Sequence, residues 1–186
     1  MSIENTSIYS DKTLPLMMDY TSALPIAFIF ANVVDAIQTR RYVEMILLIV
    51  TMCVADGLTF VIKGYSRYAP PELDFLLHRP SGACNTDILS RNGPKPMDTP
   101  GFPSGHVTMT TVFALYRLLR IYRNYDNVGK FIRENPIAIV FYLGIIILMG
   151  YARWYKRCHN IFQIVGGFVF GAIFAILLDK IVRDFL

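Results

Sequence analysis

Two histidines in this chain stand beside residue types that bind phosphate. His106 closes the tetrapeptide Pro103-Ser104-Gly105-His106, and His159 follows Arg153 by six positions. Imidazole serves as a nucleophile or a general acid–base near neutral pH. A guanidinium presents a planar fork to phosphate oxygens. A serine hydroxyl can donate to the same oxygens. Glycine permits close backbone approach, and the first turn of a helix offers unpaired N–H groups to an anion. Gln163 lies one helical turn after His159. Its side-chain oxygen can accept the proton of one ring nitrogen and leave the other free to attack. It does so without charge, and so raises basicity less than a carboxylate would. Together these groups suit nucleophilic transfer of a phosphoryl group. Singly, each has a plainer reading as an interfacial histidine, an interfacial arginine or a turn that caps a helix.

The elements that must position these groups are apolar. Of 186 residues, 54% are hydrophobic, above the roughly 45–50% of ordinary soluble domains even with glycine counted. These residues gather into five segments, about Ser22–Gln38, Tyr42–Ile62, Val107–Tyr122, Pro136–Tyr151 and Ile161–Val182. Each is close to the length of about 17–25 residues that spans a bilayer. Continuous apolar runs without alternation predict helices, since only helices or closed barrels satisfy the backbone in lipid. The expected fold class is all-α: one domain over residues 1–186, a polytopic membrane bundle of about five transmembrane helices. Arg117 and Arg120 interrupt the third segment, and their stems are expected to snorkel to the interface near Tyr122. Asn135 and Pro136 suit a helix cap and first turn. Gly167 and Gly171 have the spacing that lets helix backbones touch, or are simply tolerated there. Asp56, well inside the second segment, reads as a packing or water-facing acid rather than a proton relay.

Residues 1–21 read as a polar tail without signal-peptide features. Residues 63–106 read as a long active-site loop rich in proline and glycine. Five crossings place that loop, the tail and the Arg153–Cys158 turn on one side, with Lys63, Arg79-Pro80 and all three histidines, His78, His106 and His159. The cations near helix ends on the other side favour a cytosolic location for that face. The site would then be lumenal or extracytoplasmic. The net charge is +4, but the cations flank apolar segments or accompany the motifs, so nucleic acid is not an expected partner. Cys53, Cys84 and Cys158 form no zinc spacing. Cys84 and Cys158 share a side, either as a disulfide or as two thiols. Asp98 alone is a poor magnesium site, so no metal or other cofactor is expected. The oligomeric state is left open.

Lys63, Arg79-Pro80, Pro103-Ser104-Gly105-His106 and Arg153-x5-His159 occur in that order. This series resembles the signature of the type 2 phosphatidic acid phosphatase (PAP2) superfamily: a Lys and Arg-Pro element, a Pro-Ser-Gly-His element, and Ser-Arg-x5-His-x3-Asp. The resemblance covers about residues 60–180. The family's lysine usually precedes Arg-Pro by seven positions, where this chain has Glu72; Lys63 fits with an insertion, and Arg67 rivals it. Ala152 replaces the serine and Gln163 the aspartate. His159-x3-Gln163, the following Ile164-Val165-Gly166-Gly167, Ile62-Lys63 and Tyr151-Ala152-Arg153-Trp154-Tyr155 are similar to the dolichyldiphosphatase branch.

The resemblance implies a metal-independent, integral-membrane phosphatase acting on a polyprenyl diphosphate, with His159 as nucleophile through a phosphohistidine. It also implies His106 as general acid and then base, and Gln163 as the residue that orients His159. Lys63, Arg79, Pro80, Ser104, Gly105 and Arg153 would bind the phosphate. The alternatives are a phosphatase for phosphatidate or another phosphomonoester lipid, and an inactive membrane scaffold of the same fold.

Overall fold

The computed structural model describes residues 13–80, 84–85, 95–96 and 100–186. Helices α1 (Thr13–Ser22), α2 (Leu24–Thr39) and α3 (Tyr42–Ser66) come first. A 3-10 turn at Pro71–Leu73 leads into α4 (Asp74–Leu77). Strands β1 (Cys84–Asn85) and β2 (Lys95–Pro96) form a two-residue antiparallel ribbon. Helices α5 (Gly105–Tyr122), α6 (Val128–Glu134), α7 (Pro136–Tyr155) and α8 (Ile161–Phe185) complete the chain. Each expected apolar segment is one helix. Helices α3, α7 and α8 are long and apolar enough to cross a membrane, and α2 is a shorter apolar helix. The large apolar side chains left exposed, such as Phe30, Ile137, Val140 and Ile147, are the surface that lipid covers.

Helix α5 lies at the centre, packed by α3, α7 and α8. Phe28, Leu48, Met52, Val112, Phe113, Tyr116 and Leu178 are buried around it. Gly167 and Gly171 bring α8 into backbone contact with α5. A Cβ on Gly167 would stand 2.7 Å from the Ser104 carbonyl oxygen, and one on Gly171 2.5 Å from that of Thr108. The small-residue spacing is therefore used for close packing.

Four local expectations are corrected. Residues 13–21 of the expected polar tail, together with Ser22, form α1, which docks on α7; tertiary contact stabilises a helix that composition did not suggest. The expected loop over 63–106 is partly regular. Helix α3 runs on to Ser66, the 3-10 turn and α4 follow, and His78 bridges to Pro100. Asn135 does not cap α7 with its side chain, which instead donates to the Phe131 carbonyl at 3.2 Å.

Arg117 and Arg120, last, are held by ion pairs rather than snorkelling. Both reach Asp35 on α2, at 2.8 and 2.7 Å, and Arg120 also reaches Glu44 on α3 at 3.3 Å. Tyr116 donates to the same Glu44, while Arg123 and Arg183 pair with Asp179 on α8. Charges this close to lipid persist when partnered, and these partners tie α2, α3, α5 and α8 together at the end opposite His159.

Candidate active site

Helix ends converge at the other end of the bundle. Lys63 lies in the last turn of α3, Gly105 and His106 in the first turn of α5, Arg153 in the last turn of α7, and Gln163 in the first turn of α8. The Arg153-to-His159 interval is a helix end plus one reverse turn. The Arg153 carbonyl accepts the N–H groups of Cys158 and His159 at 3.0 and 3.3 Å, and Arg157 takes the left-handed conformation (φ 53°) that turns the chain back. Asn160 and Gln163 then start α8 with a capping box. The Asn160 side chain accepts the Gln163 N–H at 3.0 Å, and the Gln163 side-chain oxygen accepts the Asn160 N–H at 3.3 Å.

His159 is buried, with Nδ1 3.0 Å from Gln163 Oε1. The amide orientation follows from its surroundings. Its other end faces the carbonyls of Leu76, Leu77 and His78 at 3.2, 3.3 and 2.7 Å. These only accept, so Nε2 of Gln163 points there and Oε1 points to His159. An amide oxygen only accepts, so Nδ1 of His159 carries the proton and its Nε2 keeps a free lone pair. Burial, and then the Arg153 and Arg79 cations, hold the imidazole pKa well below its ordinary value; the Gln163 hydrogen bond opposes them. The ring is neutral at pH 7.

Cations surround it. Arg79 Nη1 donates to the carbonyl of Cys158, the residue before His159, at 2.9 Å. Burial and the Arg153 cation lower the Arg79 pKa, but a guanidinium stays charged at any physiological pH. Arg153 is buried, with Nη1 3.3 Å from Ser22 Oγ. The Nε atoms of Arg79 and Arg153 and the Ser104 hydroxyl are buried without a partner among the described residues. Such groups cost about 1–3 kcal/mol each unless something accepts from them, and phosphate oxygens would accept from all three. The Ser104 N–H donates to the Gln163 carbonyl at 3.0 Å, which ties the Pro-Ser-Gly-His segment to α8. A Cβ on Gly105 would stand 2.6 Å from Asp56 Oδ1 and 3.8 Å from Lys63 Nζ. Lys63 therefore reaches the start of α5, while Arg67 is exposed at the end of α3. His106 is half-buried in the first turn of α5, and Pro80 directly follows Arg79.

His78 does not bring its ring to the site. Its Nδ1 lies 2.9 Å from Asp74, with both side chains about half exposed, and only its carbonyl reaches Gln163. Sequence reasoning missed three contributors. Ser22 joins Arg153 and Lys156 through its hydroxyl; only the docking of α1 brings it there. Asn160 caps α8 and donates to the Phe75 carbonyl at 2.8 Å. Asn160-x-x-Gln163 is a legible capping signal. Gly101 packs on the Gln163 amide so closely that a Cβ would stand 2.4 Å from Oε1. Asp98 and the side chain of Cys84, and with it the Cys84–Cys158 pairing, lie outside the described residues.

The family model of the PAP2 superfamily matches residues 44–185. Among solved structures, the chain is similar to the crystal structure of the first transmembrane PAP2 type phosphatidylglycerolphosphate phosphatase from Bacillus subtilis. The TM-score is 0.66 at 16% identity, over 95% of this chain and 80% of that one. At that identity the likeness is one of fold. No curated protein matches the chain.

Proposed function

The chain belongs to the PAP2 superfamily and is an integral-membrane lipid phosphatase, and on that premise we propose that it removes the terminal phosphate of a polyprenyl (dolichyl-type) diphosphate. In this reading, residues 1–186 act as one domain. The observation that carries the reading is a buried, neutral His159 whose Nδ1–H is held by Gln163, beside Arg79 and Arg153 Nε donors that have no partner among the described residues.

His159 Nε2 attacks the terminal phosphorus. The bond from phosphorus to the bridging oxygen breaks, and that oxygen leaves with the electron pair on the lipid monophosphate. His106, protonated once the substrate phosphates offset the Lys63, Arg79 and Arg153 cations around it, donates its proton to that oxygen. His106 then takes a proton from water, the hydroxide attacks the phosphohistidine, and the P–N bond breaks to release inorganic phosphate. Arg79, Arg153, Lys63, the Ser104 hydroxyl and the Gly105 N–H hold the phosphoryl oxygens, and Pro80 stiffens the backbone after Arg79. Phosphoryl transfer is mostly positioning and charge stabilisation, which a cluster of fixed donors supplies. The dolichyldiphosphatase-type substrate is supported by the His159-x3-Gln163 pattern and its flanking residues. A lumenal or extracytoplasmic site is supported by the cations near helix ends on the opposite face, and the endoplasmic reticulum or another endomembrane by the resemblance to the dolichyldiphosphatase branch.

A phosphomonoester lipid is the second reading, since the similar solved structure is titled a phosphatidylglycerolphosphate phosphatase. The deciding experiment is phosphate release by the purified protein in detergent with EDTA, from a polyprenyl diphosphate and from phosphatidate, beside His159→Ala. Faster release from the diphosphate, lost in the variant, is expected. Preference for phosphatidate would move the substrate to the second reading. Release surviving in folded His159→Ala would end the phosphohistidine mechanism, and no release from either lipid would favour a scaffold.

A further inference from the structure

Gln163 is in contact with each loop that supplies the site. Its side chain is fully buried. Oε1 accepts from His159 Nδ1–H and from the Asn160 N–H. Nε2 faces the opposite way, toward the carbonyls of Leu76, Leu77 and His78, the three residues before Arg79. Its own main-chain carbonyl accepts from Ser104. Gly101 closes over the amide and donates its N–H to the Leu77 carbonyl.

The Leu77 carbonyl already accepts from Gly101 N–H, so the two N–H groups of Nε2 serve chiefly the Leu76 and His78 carbonyls, which need a donor. An ionised carboxylate has none, and would set negative charge against three carbonyl dipoles in a buried place. It could orient His159 as well as an amide does, or better, but it could not hold the Leu76–His78 backbone. That backbone fixes where Arg79 starts, and the Cys158 carbonyl fixes where its guanidinium ends.

We propose that Gln163 is a positioning residue with two opposed tasks: Oε1 sets the tautomer of His159, and Nε2 anchors the Leu76–His78 backbone so that Arg79 meets the phosphate. In this chain a neutral amide at the position is thus a requirement for phosphate binding, and an acid there is not an equivalent replacement. The inference rests on the roles of His159 and Arg79 in the function proposed above.

Gln163→Glu separates the tasks, because it keeps the length and the acceptor and removes the donor. The measurements use the full chain in detergent: kcat and KM for a polyprenyl diphosphate, calorimetric Kd for orthovanadate as a phosphate-like anion, and the pH profile of kcat/KM. The expected result is a rise of about tenfold in KM and in vanadate Kd, the size of losing a well-placed buried donor. kcat should fall less than KM rises. The acid limb of kcat/KM should move to higher pH, because a carboxylate beside His159 stabilises the imidazolium. A role in folding alone would lower the melting temperature without this split. Should Gln163→Glu fail to fold, Gly101→Ala displaces the intact amide by steric contact and should give the same rise in vanadate Kd. Wild-type KM and vanadate Kd in a folded variant would overturn the inference and leave the proposed function standing. A wild-type protein that neither hydrolyses lipid phosphates nor binds vanadate would overturn both.

Discussion

Gln163 Oε1 sits 3.0 Å from His159 Nδ1 and brings no charge with it. The imidazole is thus oriented without a carboxylate to stabilise its protonated form, while two arginines beside it disfavour that form. Gln163→Ala removes the orienting acceptor and frees the ring to rotate. We expect kcat to fall about 10- to 100-fold, the usual cost of removing a group that orients a reacting histidine. Initial rates of phosphate release, at a lipid concentration well above KM, measure it.

The lowered pKa of His159 has a definite sign. The nucleophilic, neutral form persists below the ordinary value of about 6.5, so the acid limb that His159 imposes on kcat/KM lies below pH 6.5. Arg79→Gln removes one of the cations that depress it and should move that limb upward, besides weakening phosphate binding. A pH–rate profile of both proteins tests this.

The same shift links stability to pH. Below about pH 6.5 the unfolded chain protonates His159 while the folded chain does not. The contribution of a neutral His159 is therefore complete above that pH and is lost as pH falls toward the depressed folded value. Thermal melts in detergent should show this acid-side loss, reduced in His159→Gln.

Gly167→Ala and Gly171→Ala should each destabilise by about 1–3 kcal/mol, because the new Cβ meets a main-chain oxygen that cannot give way without parting α5 from α8. Gly167→Ala should also lower turnover, since the oxygen it strikes belongs to Ser104. Gly171→Ala strikes Thr108, one turn deeper, and should act mainly on stability. Gly144, whose Cβ would meet nothing within 4 Å, is the control; Gly144→Ala should be neutral or slightly stabilising. Melting temperature and kcat for the three variants separate these outcomes.

At the opposite end, Asp35→Ala strands Arg117 and leaves Arg120 with Glu44 alone, whereas Arg117→Ala leaves Asp35 paired with Arg120. The pairs are partly buried, so Asp35→Ala should cost about 1–3 kcal/mol and Arg117→Ala less. KM should be unchanged in either folded variant, because the network is remote from His159. Equal losses in the two variants would contradict the shared-acid arrangement.

The five long helices were legible because their signals are local. Apolar runs of spanning length partition into lipid whatever lies elsewhere in the chain, and Gly167 and Gly171 carry their packing role in their spacing. The grouping of Pro103-Ser104-Gly105-His106 with Arg153 and His159 was equally legible. Alternating crossings bring α3 and α7 to an end where α5 and α8 begin. What only the tertiary structure decided depends on residues distant in sequence meeting at close-packed distances. Asp35 meets Arg117 and Arg120 across 82 and 85 positions, where the sequence alone suggested snorkelling. Ser22 reaches Arg153 across 131 positions, through a helix that composition hid. Gln163 looked like a substitute for an acid; its second face became visible only when the carbonyls before Arg79 were found against it, because donor and acceptor geometry is a property of the packed fold and not of residue type.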